Sequence, residues 1–225
     1  MLSAVVFDFD GIIVDTEPIH YRAFQEILAP MGLGFSWEEY LSRYIGFDDR
    51  DAFREAFSLA GRSLPGETLK ELMGRKARAF QAVVSGGVEP YPGAPELIRA
   101  VSGALPLALC SGALLCDIAP ILATLGLSDA FDAVVTAEEV AASKPDPESY
   151  RLALEKLQGA FPGRELPAAE VVAIEDTPAG IASACGAGLK VLGVTNSYPA
   201  DRLSGASSVV ATLAGLDLER LRLLF

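Results

Sequence analysis

Histidine is almost missing from this sequence, and positive charge is short. The 225 residues hold one histidine and one tryptophan. Lysine and arginine number 18 against 30 acidic residues, a formal net charge of −12. Nucleic acid and anionic membrane should repel such a chain. Cysteine is limited to Cys110, Cys116 and Cys185, with no C-x-x-C spacing. An odd, scattered set excludes a disulfide framework and a structural zinc site, and suggests a reducing compartment. No apolar run approaches the roughly 18 residues of a membrane span. The start, Met1-Leu2-Ser3-Ala4, has no basic segment, and Asp8 and Asp10 interrupt the apolar stretch that follows. It does not read as a signal peptide, and the expected location is the cytoplasm. What the chain does have is 51% hydrophobic residues with only 21% charged. That composition fits an ordered core and one domain, or one domain carrying an insertion.

Short apolar runs recur: Ala4-Val5-Val6-Phe7, Leu107-Ala108-Leu109-Cys110, Ala133-Val134-Val135, Val171-Val172-Ala173-Ile174, Leu189 to Val194, and Val209-Val210. They do not alternate with polar residues, as expected of strands buried on both faces of a parallel sheet. Helix-length segments separate the later runs: 94–101, 114–125, 147–157 and 178–187. Strand–helix alternation predicts an α/β fold with a doubly wound parallel sheet. In such sheets the ligand site lies beyond the carboxyl ends of the strands.

Residues 16–88 break this rhythm. Apolar residues there follow a helical period: Ile19, Ala23, Phe24, Ile27 and Leu28; Trp37, Tyr40 and Leu41; Ala52, Phe53, Ala56 and Phe57; Leu69, Leu72, Met73, Ala77 and Phe80. Punctuation falls at Pro30-Met31-Gly32, Gly46, Gly61 and Ser85-Gly86-Gly87. The segment reads as a helical cap domain inserted into a core built from 1–15 and 89–225. A last amphipathic helix is expected within 216–225.

Four strand ends carry groups suited to chemistry. The first run leads into Asp8-Phe9-Asp10-Gly11, two carboxylates two residues apart at a glycine turn. A buried like-charge pair needs a cation or a proton to offset it; otherwise the two are solvated turn residues. The fourth run ends in Glu175-Asp176-Thr177-Pro178, where a residue capping the next helix is compatible with metal binding. Oxygen ligands from two strand ends suit Mg²⁺. After the second run comes Cys110-Ser111-Gly112, with a hydroxyl and backbone N–H groups that suit a phosphate oxygen or simply cap a helix. Ser143-Lys144-Pro145-Asp146-Pro147 supplies one of only five lysines. A cation beside those carboxylates would neutralise them and an incoming phosphate.

In order and placement, this set resembles the haloacid dehalogenase (HAD) superfamily over essentially the whole chain. The first signature is Val5 to Glu17, the second Ser111, the third Lys144-Pro145-Asp146-Pro147 and the fourth Glu175-Asp176-Thr177-Pro178-Ala179-Gly180. The insertion after the first signature is similar to the cap of the β-phosphoglucomutase and phosphoglycolate phosphatase branch. The resemblance implies a HAD core and an aspartyl-phosphate mechanism. Asp8 would be the nucleophile, and Asp10 the general acid and then the base. Mg²⁺ would be held by Asp8, the carbonyl of Asp10 and Asp176, with Glu175 in or beside that shell. Ser111, Gly112 and Lys144 would bind the transferring phosphoryl group. His20, in an Asp-Thr-Glu-x-x-His pattern, would reach the cleft or pack the first cap helix. Thr16 would lie at a hinge, and Arg50 or Arg43 would be the cap's candidates for substrate contact.

Mutases of this branch resemble one another in a cap lysine and arginine, and Ile45 takes the lysine's place here. The expected function is therefore a Mg²⁺-dependent phosphatase acting on a small phosphomonoester, a sugar phosphate or phosphoglycolate. A phosphosugar mutase is the alternative, followed by an inactive binding module. The expected state is a monomer or weak dimer with a small-molecule partner.

Overall fold

The computed structural model describes residues 2–45, 47–84 and 87–225. Gly46 and the Ser85-Gly86 part of the expected punctuation lie outside that range. Six parallel strands form one sheet in the order β3-β2-β1-β4-β5-β6. They are β1 (Ala4–Phe7), β2 (Leu107–Cys110), β3 (Ala133–Val135), β4 (Val171–Glu175), β5 (Lys190–Val194) and β6 (Ser208–Val210). Both faces are covered, which is why the sequence runs are continuously apolar. Val5, Phe7, Leu107, Leu109, Val172 and Ile174 share one core with helices α5 (Ala94–Val101) and α6 (Leu115–Thr124). Ala4, Val6, Ala108, Cys110, Val171 and Ala173 pack on the opposite face against α7 (Glu148–Ala160) and α8 (Pro178–Gly186). The period-2 alternation of strand side chains decides which residue joins which core. A short α9 (Leu218–Leu223) anchors Leu221 in the first of these.

Between β1 and α5 lie α1 (Glu17–Leu28), α3 (Asp49–Leu59) and α4 (Gly66–Val84). They enclose an apolar cluster of their own around Phe24, Leu28, Phe53, Phe57 and Leu72. No strand occurs among the described residues of this segment. One element differs from the expected helix at Trp37–Leu41. A single α-turn, α2 (Trp37–Glu39), is opened by a Ser36/Glu39 capping box and passes into a π-turn over Tyr40–Tyr44. Trp37 stacks on Tyr40, and Phe35 on both Tyr40 and Tyr44, so ring packing sets the local winding.

Hydrogen bonds at α4 and α3 tie these helices to the sheet domain. Pro120 lies inside α6 and has no N–H for the carbonyl of Cys116; that carbonyl accepts from Gln81 of α4 instead. At the start of α3, Arg50 Nη1 donates to the carbonyl of Val140 (3.1 Å), and Ser143 Oγ donates to Asp51.

Candidate active site

β1 is central, with β2 and β4 as neighbours, and Phe7 is in register with both Leu109 and Ile174. The first residues beyond these strands therefore converge. Asp8 continues β1 through an N–H bond to the carbonyl of Ile174 (3.0 Å). Oxygens of Asp8, Glu175 and Asp176 lie within 4.8 Å of one another, and all three residues are buried. Three carboxylates this close repel one another. Burial, then the charge of Glu175, pushes Asp8 up to about 8. Burial, with Asp8 and Glu175 nearby, holds Asp176 well above the ordinary carboxylate range.

Lys144 supplies the main compensation. Its Nζ lies 2.7 Å from Asp8 Oδ1, 2.7 Å from Glu175 Oε1 and 3.2 Å from the carbonyl of Cys110. Burial opposes its charge, but the two carboxylates outweigh burial and hold the ammonium well above its usual range. Glu175 is fully engaged. Oε1 also accepts from Tyr150 Oη (2.7 Å), and Oε2 faces Asp176 N–H and Thr177 Oγ1. Asp176 differs: Oδ2 accepts from Ser197, whereas Oδ1 is buried without a partner. A buried, unpartnered carboxylate oxygen beside Asp8 is suited to ligate a hard cation. The donor set therefore fits Mg²⁺.

Two glycines make room for these acids. A Cβ on Gly11, whose φ is +81°, would sit 2.0 Å from Asp176 Oδ2. A Cβ on Gly180 would sit 2.0 Å from the carboxylate of Glu175. Thr177 caps α8 through Gly180 N–H, with Pro178 at its first position, so the capping role expected at this strand end is present beside the acids.

Asp10 has a separate environment. Its Oδ1 accepts from Thr16 Oγ1 and faces His20 Nε2 at 3.4 Å, and Oδ2 faces Ser111 Oγ at 3.5 Å. Burial opposes ionisation, but the hydrogen bond from His20, followed by that from Thr16, prevails and lowers its pKa. Ser111 Oγ also accepts from Ala113 N–H, and α6 opens only at Leu115 without a side-chain cap. Ser111 thus serves the loop and Asp10 rather than capping the helix.

The cap contributes a group that the strand-end reading passed over. Lys76 is fully buried on α4, 2.6 Å from His20 Nδ1 and 2.7 Å from Asp49 Oδ1, and it also lies over the rings of Phe24 and Phe80. Leu72, Lys76 and Phe80 follow at spacing four, which was the available signal: a cation on an apolar helix face. Arg50 places Nε and Nη2 on Asp48 Oδ2 (3.0 and 2.7 Å). Arg43 pairs with Glu55 at the surface, and Ile45 is buried.

The cap closes over Asp8 and Asp10, leaving about 60 Å³ of free space. Asp8, Asp10, Gly112 and Lys144 line it from the sheet domain; Glu17, His20, Tyr44, Phe47, Asp48 and Asp49 line it from the cap. Phe53 and Phe57 are in the cap core instead.

The family model for haloacid dehalogenase-like hydrolases matches residues 5–194. The chain belongs to this family. It is 35% identical over 206 residues to protein CbbY of Rhodobacter capsulatus, covering 88% of this chain and 87% of the relative. It is 29% identical over 192 residues to the fructose-1-phosphate phosphatase YqaB of Escherichia coli, covering 85% and 96%. A solved structure of a CbbY mutant from Rhodobacter sphaeroides in complex with xylulose-(1,5)bisphosphate is also similar. It superposes with a TM-score of 0.86 at 26% identity, covering 98% of this chain and 99% of that one. This HAD-family hydrolase keeps the six-stranded parallel sheet and the helical insertion after β1. Among its described residues, no helix is long and apolar enough to cross a membrane.

Proposed function

We propose that this HAD-family hydrolase is a phosphatase that cleaves a small phosphomonoester, of the sugar-phosphate class, through an aspartyl-phosphate on Asp8. The observation that carries the proposal is Lys144, which bridges the buried Asp8 and Glu175 below a closed cap. A carboxylate attacks phosphorus only when its negative field is offset. Asp8, Asp176 and the carbonyl of Asp10 would hold Mg²⁺, and Glu175 would stand beside them as the fixed counter-charge of Lys144. When bound, the ion would draw charge from the phosphoryl oxygens and keep Asp8 ionised.

Asp8 then bonds to phosphorus as the ester oxygen departs. Asp10, once protonated, gives its proton to that oxygen. The resulting carboxylate, held by Thr16 and His20, takes a proton from the water that attacks the aspartyl-phosphate. Ser111, the Gly112 backbone and Lys144 would receive the phosphoryl oxygens. Cap closure would exclude water until the ester is in place.

The mutase reading asks for a cationic grip on a second phosphate. Arg50, Arg43 and Lys76 all have carboxylate partners, and Ile45 offers no charge. Hydrolysis is therefore the proposed outcome. The experiment is incubation with Mg²⁺, β-glucose 1-phosphate and a trace of its 1,6-bisphosphate, following free phosphate and glucose 6-phosphate together. Phosphate release should dominate. Rapid isomerisation with little release would establish a mutase.

A further inference from the structure

Resting on the phosphatase reading, we infer that the cap selects esters by the charge of the leaving group. It accepts a neutral or cationic alcohol rich in hydrogen-bond donors, and rejects one that carries a second phosphate or a carboxylate. The wall that the cap presents to the cavity holds three acids, Glu17, Asp48 and Asp49. Among the described residues, the cations bordering that wall are already committed. Arg50 is held by Asp48 and by the carbonyl of Val140. Lys76 is fully buried between Asp49 and His20. Lys144 lies at the opposite end, on Asp8 and Glu175.

Asp49 adds a positive reason. Its Oδ1 takes Lys76, while Oδ2 is buried and without a partner. A buried unpaired acceptor favours a ligand that donates a hydrogen bond to it. A second anion would meet these acids with no free cation and would lose its hydration without compensation. A hydroxyl loses far less and gains an acceptor, and an ammonium has its lost hydration offset by these acids. Phe24, Tyr44 and Phe47 also line the cavity and suit the C–H faces of a polyol. Only about 60 Å³ stays free once the cap is down, so the leaving group is tested against this wall as the cap closes.

The test is kcat/KM of the full chain with Mg²⁺ on glucose 6-phosphate, glucosamine 6-phosphate, fructose 1,6-bisphosphate and phosphoglycolate, with p-nitrophenyl phosphate as reference. The first two should exceed the last two by about tenfold or more, the scale on which misplaced polar groups discriminate. Their own ratio tells a neutral leaving group from a cationic one. Asp48→Asn retains a good helix cap while freeing the guanidinium of Arg50. It should raise the bisphosphate-to-monophosphate ratio several-fold, by about threefold or more.

An unchanged ratio in that variant overturns the acidic wall as the source of selection. Equal or preferred use of bisphosphate or phosphoglycolate by the wild type overturns the inference. Loss of that preference in Arg50→Ala would show Arg50 exchanging Asp48 for the substrate. Hydrolysis of p-nitrophenyl phosphate alongside either result leaves the phosphatase reading intact. No hydrolysis of any ester removes both.

Discussion

Lys76 Nζ lies 2.6 Å from His20 Nδ1, and the other nitrogen of that ring faces Asp10. An ammonium can only donate, so Nδ1 must accept and the ring proton resides on Nε2. That N–H points to Asp10 Oδ1. A lysine on the long cap helix thereby fixes the tautomer that holds the carboxylate proposed as acid and base.

Lys76→Met should lower kcat by about tenfold or more and move the acid limb of the pH–rate profile upward. The sign follows from Asp10, whose pKa is lowered by His20, Thr16 and the charge of Lys76 against the effect of burial. Losing the lysine removes part of that support, so Asp10 takes up its proton at higher pH. An unmoved acid limb with unchanged kcat would remove Lys76 from the mechanism.

Asp8→Asn should leave the fold intact and reduce turnover below about a few per cent of wild type, since an amide is a poor nucleophile. Circular dichroism and phosphate release measured on one preparation check both halves. Retained turnover would place the nucleophile elsewhere.

Asp176→Ala should raise the Mg²⁺ concentration needed for half-maximal activity by about tenfold or more, because an oxygen ligand is lost. The comparison is a Mg²⁺ titration of both proteins after chelation. Full activity of the wild type in excess chelator would contradict the metal requirement.

Lys144→Met should destabilise the protein as well as inactivate it. It leaves Asp8 and Glu175 buried together with no counter-charge, a defect of about 3–5 kcal/mol. Urea unfolding measures it. The same substitution made with Glu175→Gln should recover part of the loss, whereas a purely catalytic lysine would show no such recovery.

Asp117, buried on α6 with Oδ2 unpartnered, is pushed up to about 6 by burial, against the opposing charge of Lys76. Its folded pKa exceeds the ordinary 3.8, so the native state holds the proton more tightly. The resulting stability is fully present below about pH 4 and is lost as pH rises through about 6. Asp117→Asn should thus be nearly neutral at pH 4 and stabilising by roughly 1–3 kcal/mol at pH 8. Thermal melts at the two pH values decide it. Equal effects at both would show that the carboxyl does not titrate in this window.

The grouping of strand-end acids was legible because a parallel sheet brings its carboxyl ends to one edge. Once β1, β2 and β4 are recognised as neighbours, Asp8, Ser111 and Glu175-Asp176 have few other places to be. Lys144 was legible for a different reason: it is one of five lysines and precedes a proline at a strand-to-helix junction. Lys76 was not, because helical periodicity reports only that position 76 shares a face with Leu72 and Phe80. Whether a cation there is buried with partners or left in solvent depends on His20 and Asp49, 56 and 27 residues away. Tyr150 was missed likewise. It reads as a core aromatic of α7, and only the tertiary fold brings its hydroxyl to Glu175. The π-turn at Tyr40–Tyr44 escaped because ring stacking, rather than backbone propensity, sets it.

Ser143, next to Lys144 in the chain, donates to Asp51 of the cap, and Val140 on the same loop receives Arg50. The loop that presents Lys144 is therefore also a seat on which the cap rests. Two equilibria that share a segment are reciprocal: whatever tightens one tightens the other by the same factor. An anion bound at Lys144 should hold the cap down, and a substitution that unseats the cap should weaken anion binding from outside the cleft. Inorganic phosphate would then act as an inhibitor whose affinity reads out cap position, without a label on either domain.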